Sequence, residues 1–135
     1  AIGVLDWELS TLGHPLADFA YHCMSWHIPA SLWRGIAGLE LAGTGIPTER
    51  EYVEAYATAT GRQPAEHWDF YMAYNLFRMA AILRGIGQRA SDGTAAAEDA
   101  VETASNADPL AEIGWECALQ YGRALRFRSG AAAVP

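Results

Sequence analysis

The strongest constraint on how this chain folds is a run over residues 63–90, where Trp68, Met72, Leu76, Met79, Leu83 and Ile86 recur every three or four positions. That spacing predicts one long helix with a continuous apolar stripe. Phe70, Tyr74 and Phe77 supply a second apolar face, so both sides are expected to be buried, as for a helix at the centre of a bundle. Burying each aromatic or leucine side chain contributes about 1.5 to 3 kcal/mol. This helix is therefore expected to be the main source of stability.

Shorter helices are expected around it. Thr48, with Glu51 three residues later and Pro47 before it, carries the signature of a capping box, and Gly61 supplies the left-handed residue that ends the helix. Val53, Tyr56, Ala57 and Thr60 share one face of it. An earlier helix around Leu16, Phe19, Ala20 and Cys23 is expected to stop near Trp26, because Pro29 restricts its predecessor. Residues 29–45 suggest a buried loop with one short turn of helix near 32–37, plugged into the core by Trp33 and Leu39. Asp108 and Pro109 should open a last helix with Leu110, Ile113, Cys117, Tyr121 and Leu125 inward.

At 135 residues and 51% hydrophobic content the chain suits one folded domain. The net charge of −7 argues against a nucleic-acid surface, which needs a basic face. No basic residue occurs between Arg89 and Arg123, while Asp and Glu occur seven times, the pattern of a solvated acidic helix face. Cys23 and Cys117 stand far apart and form no close-spaced redox or metal motif, which suggests a reducing compartment. Cys23 and His27, four apart, lack the partner motif of a zinc site. The longest apolar run, 70–83, is interrupted by Asn75 and Arg78 and is too short for a bilayer. A cytoplasmic protein without membrane or nucleic-acid partners is expected.

The chemistry concentrates in GVLDWELSTLGHPLADFAY, residues 3–21. An apolar run at 2–5 fits a buried strand and ends at a carboxylate, Asp6; a turn at residues 12–15 follows, with Pro15 suited to begin a helix. A carboxylate held rigidly at a strand end offers the hard oxygen that magnesium prefers, together with water and phosphate oxygens. Asp is also common as an ordinary turn residue.

Asp6, Trp7, Glu8, Gly13, Pro15 and Asp18 together resemble the metal-binding segment of the aminoglycoside phosphotransferase family, which includes choline kinase-like enzymes. Residues 45–62 and 69–90 resemble the subgroup fused to acyl-CoA dehydrogenases or standing alone in bacteria. The resemblance implies the helical C-terminal lobe of a protein-kinase-like fold: mainly α, with one short N-terminal β-strand or hairpin remnant, over residues 1–128, followed by a disordered tail at 129–135. It implies that Asp6 holds magnesium on the phosphates of ATP, with Glu8 nearby and Asp18 bracing the site from behind through buried hydrogen bonds. The family's usual Asp before the proline is His14 here, so no role is carried to that position.

Asn75 and Arg78 interrupt the long apolar helix and must find polar partners there. Either they face the substrate cleft, with Arg78 holding an anionic group, or they are structural, Arg78 pairing with Asp18 or Glu8 and Asn75 with a backbone group. The habit of buried charges to pair within the fold favours the second.

The family's Gly-rich nucleotide lobe, its Lys and its catalytic loop have no counterpart in these residues. The expectation is thus the metal- and substrate-binding lobe of an ATP-dependent small-molecule phosphotransferase acting on a hydroxyl group, with no catalytic base of its own and inactive alone. An anionic acceptor such as a hydroxyacyl-CoA would use Arg78 or Arg84; an aminoglycoside would use acidic lining. The exposed strand edge at 2–5 would pair with another copy or an upstream segment. The alternative is a non-catalytic helical module that binds a partner through that edge and the acidic face. A metal-dependent hydrolase using Asp6, His14 and His22 has suitable residue types without a recognisable ligand spacing.

Overall fold

The structure, a computed structural model, describes residues 2–3, 10, 12–63, 67–95 and 97–131. Among these residues five helices follow in order: α1 (Pro15–Cys23), continued by a 3-10 turn at Met24–Trp26, α2 (Glu49–Thr60), α3 (Trp68–Ser91), α4 (Ala100–Ser105) and α5 (Ala107–Ala131). Among the described residues there is no strand, only a single parallel bridge between Pro29 and Ala37. The strand expected at 2–5 falls largely outside the described residues; Ile2 and Gly3 are irregular.

Helix α3 is the axis of the bundle. Its stripe of Met72, Leu76, Met79, Ala80 and Leu83 is buried, and α5 lies along it with Leu110 and Cys117 buried in the seam. A Cβ at Gly114 would meet the Leu76 Cβ at 3.1 Å. The missing side chain is what lets the two helices close on each other there.

The expected burial of α3's second face is not found. Phe70, Tyr74 and Phe77 are 47%, 49% and 69% exposed. Among the described residues most of the cover on α3 comes from α1, α4 and α5, which leaves the aromatic stripe about half exposed or more. Similarly, Leu39 is half exposed rather than a plug; Trp33 does pack against the core.

Local chemistry sets the helix ends. Thr48 Oγ1 accepts the Glu51 amide at 3.3 Å and the Glu51 carboxylate accepts the Thr48 amide at 2.8 Å, so the expected capping box is formed. Gly61 closes α2 with φ of 69°. Pro15 takes the first position of α1. At the other end of the molecule Asn106, rather than Asp108, makes the junction: its side-chain oxygen accepts the Trp33 amide at 3.1 Å, and its carbonyl accepts the Leu110 amide. Helix α5 continues through Ala131, so the tail expected from residue 129 starts inside a helix.

Leu110 is completely buried where α5 meets α3. Leu110→Ala is expected to cost about 2 to 5 kcal/mol through lost apolar burial and the cavity left behind, measured as a fall in the urea midpoint at unchanged slope.

Candidate functional site

The motif segment meets the long helix in a groove of about 520 Å³ between the start of α1 and the middle of α3. Gly13, His14 and Asp18 line one wall, and Tyr71, Tyr74 and Arg78 the other. Helical spacing creates this division. Leu16, Phe19, Ala20 and Cys23 turn the buried face of α1 inward, which leaves positions 14 and 18 at the rim. On α3, Tyr74 and Arg78 are one turn apart on the uncovered side.

Asn75 holds the two walls together. Its amide nitrogen donates to the carbonyl of Ala17 at 2.8 Å and to that of Tyr71 at 3.0 Å, and the residue is fully buried. The expectation of a backbone partner for Asn75 therefore holds, and its role is to tie α1 to α3 behind the groove. Above it, the rings of His14 and Tyr71 stack with centroids 5.5 Å apart, and the Tyr71 hydroxyl lies 3.1 Å from His14 Nδ1.

Arg78 does not pair with Asp18, and Glu8, the other partner expected for it, lies outside the described residues. Arg78 is exposed in the groove, its guanidinium carbon 5.7 Å from the centre of the Tyr21 ring, a cation–π arrangement that keeps the charge toward water. It makes no ion pair with a described residue. Asp18 also departs from expectation: it is exposed at the groove rim instead of bracing the site through buried hydrogen bonds, because the inward positions of α1 are taken by apolar side chains.

Asp6, which the resemblance assigns to magnesium, and Glu8, expected nearby, lie outside the described residues. Asp18 is a described carboxylate at the groove whose oxygen chemistry suits magnesium. Among the described residues no group of three or more His, Cys, Asp or Glu is arranged to hold a metal. His27, considered beside Cys23 as a zinc ligand, is instead bonded to a carboxylate.

That bond belongs to a second polar cluster on the far side of α1, for which the sequence offers no cue. His27 Nε2 lies 2.8 Å from Glu49 Oε1, and Trp68 Nε1 donates to the same oxygen at 3.0 Å. The cluster joins the turn after α1, the first turn of α2 and the start of α3. Its partners stand 22 and 19 positions apart in the chain, too far for a local signal. His27 is raised to about 9 by hydrogen bonding with Cys117 and Glu49, against the opposing effect of burial. Burial pushes the Glu49 carboxyl up, but the His27 bond and charge and the Trp68 donor outweigh it and hold the group below its ordinary range. Burial and the Glu49 charge push the Cys23 thiol up to about 12.

Residues 1–74 match the phosphotransferase enzyme family (APH). The chain belongs to that family, and its mainly helical fold is consistent with the helical lobe of a kinase-like protein. Its relatives are those the subgroup resemblance anticipated. It is 41% identical over 123 residues to mouse acyl-CoA dehydrogenase family member 10, covering 90% of this chain and 12% of that protein. It is 36% identical over 114 residues to human acyl-CoA dehydrogenase family member 11, covering 84% and 15%. It is 38% identical over 117 residues to the Arabidopsis thaliana probable acyl-CoA dehydrogenase IBR3, covering 82% and 14%. The chain thus spans only about an eighth to a seventh of the length of these relatives. No solved structure matches it. No described helix is long and apolar enough to cross a membrane.

The hydrogen bonds of His27 with Cys117 and Glu49 make stability depend on pH. Because His27 is raised from 6.5 to about 9, its contribution is fully present below pH 6.5 and is lost as the pH rises through about 9. Glu49, held below 4.5, contributes above that pH and loses its share as the pH falls through its lowered value. Thermal unfolding should show a loss on the order of 3 kcal/mol between pH 6.5 and 9.5; in His27→Ala that slope should flatten.

Proposed function

We propose that this chain is the metal- and acceptor-binding helical half of an ATP-dependent phosphotransferase that acts on the hydroxyl group of a small molecule. The observation that carries the reading is the groove in which the Gly13-to-Asp18 part of the family motif faces Arg78 and the aromatic residues of α3. In this reading Asp6 holds magnesium on the nucleotide phosphates, Glu8 lies beside it, and Asp18 lines the rim of the groove. Magnesium and ATP supply the electrostatic neutralisation and the phosphoryl group. The nucleotide lobe and the catalytic base come from other parts of the protein, so the chain alone is expected to transfer no phosphate.

The acceptor we favour carries an anionic group. Arg78 is an exposed cation at the groove that makes no ion pair with a described residue, and the relatives are named acyl-CoA dehydrogenase family members. A hydroxyacyl-CoA fits that charge better than an aminoglycoside does. The two free, buried cysteines suit the reducing cytoplasm.

A second reading, a non-catalytic module that binds a protein partner, draws support from the uncovered stripe of Phe70, Tyr74 and Phe77. Self-association through the first residues belongs to the same line of thought and would appear as a concentration-dependent dimer in size-exclusion chromatography.

Activity of the complete protein separates the readings. Asp6→Ala should lower kcat/KM for phosphoryl transfer by roughly a thousandfold or more, as expected when charge stabilisation in the transition state is removed. Arg78→Ala should raise KM for the acceptor by about tenfold while kcat changes little, as expected for lost uniform binding. A complete protein with no kinase activity toward any hydroxy acid or its thioester, or one indifferent to Asp6→Ala, would overturn the proposal.

A further inference from the structure

Helix α2 stands apart from the other four in contributing no fully buried residue to the described structure. It is flanked by an irregular stretch with left-handed glycines at 38, 43 and 45 and by Gly61 at its other end. Two sets of contacts hold it. Tyr56 stacks on Phe19 with centroids 3.8 Å apart, and Tyr52 sits 5.3 Å from Phe19 and 5.4 Å from Trp26. Beside them, Glu49 takes up His27 at 2.8 Å and Trp68 at 3.0 Å through one carboxylate oxygen.

Under α2 lies Phe19, 8% exposed, and one turn further along is Cys23, 0% exposed. They belong to the same helix, α1, whose Ala17 and Asp18 form a wall of the groove. Helix α1 is therefore clamped from two sides, by Asn75 of α3 and by α2.

We propose that α2 is a strap that swings off α1 as a unit, with Glu49 as its catch, and that its docking sets the position of α1 and thereby the shape of the groove. Swinging exposes half-buried side chains of α2, chiefly Tyr52, Val53 and Tyr56, and the Phe19 ring they cover, while the seam of Met72, Leu76, Leu83 and Leu110 stays closed. An opening of that size costs much less than global unfolding. The strap stands or falls independently of the phosphotransferase reading.

Cys23 is the natural reporter. Opening carries away the Glu49 charge, which together with burial holds its thiol up at about 12, and a thiol that ionises more readily is a faster nucleophile. The test combines maleimide labelling of Cys23, read by mass spectrometry, with native-state hydrogen exchange of the chain. In the wild-type chain, α2 amides and Cys23 should respond through an opening that leaves α3 and α5 protected and depends little on low concentrations of urea. In Glu49→Ala the labelling rate should rise at least about tenfold, and the amide resonances of Ala17 and Asp18 should shift while those of α5 stay in place. Exchange of α2 and labelling of Cys23 only together with global unfolding would overturn the strap. Unmoved Ala17 and Asp18 resonances in an open variant would overturn its link to the groove. Should Glu49→Ala fail to fold, the wild-type exchange measurement decides alone.

Discussion

A single buried amide holds the working part of this molecule in register. Asn75 sits without exposure in the middle of α3, and its nitrogen bridges the carbonyls of Ala17 and Tyr71. Both carbonyls belong to residues at the groove. A buried polar group without partners costs several kcal/mol, so the side chain is in effect committed to that bridge, and α1 has little freedom to slide along α3. The turn that precedes α1 carries the family motif; whatever fixes α1 aims that turn.

Around this bridge the structure is layered by strength of attachment. The α3–α5 seam is apolar and closely fitted, with Gly114 against Leu76. Helix α4 closes one end, and Asn106 ties the irregular region to α5 through the Trp33 amide. Helix α2 rests on aromatic rings and one carboxylate that serves two donors. A rigid seam with a lightly held neighbour suits a half-cleft, since ligand-facing elements are drawn from the less stable parts of a fold.

Features governed by neighbours along the chain are legible in the amino-acid sequence itself. The Thr48–Glu51 box, the left-handed Gly61, Pro15 at the start of α1 and the inward stripe of α3 all depend on contacts within a few residues. The family motif is legible for the same reason. What the sequence does not reveal depends on what lies across space. The second stripe of α3 reads as core by spacing, yet Phe77 is 69% exposed because no described element covers it. Asp18 and Arg78 carry opposite charge and look like natural partners; helix geometry puts both at the groove instead. The His27–Glu49–Trp68 cluster joins three elements with no local signature at all.

The family assignment, the groove and the exposed Arg78 support the proposed reading, in which a divalent cation bound with nucleotide phosphates would sit ahead of α1, facing α3. The direct measurement replaces magnesium with Mn2+ in the complete protein with bound ATP and maps paramagnetic broadening along this chain. The predicted result is broadening confined to residues 3–21 and to Tyr71–Arg78 on α3, abolished by Asp6→Ala. Broadening centred on the acidic residues of α4 and α5, or none in this chain, would contradict it.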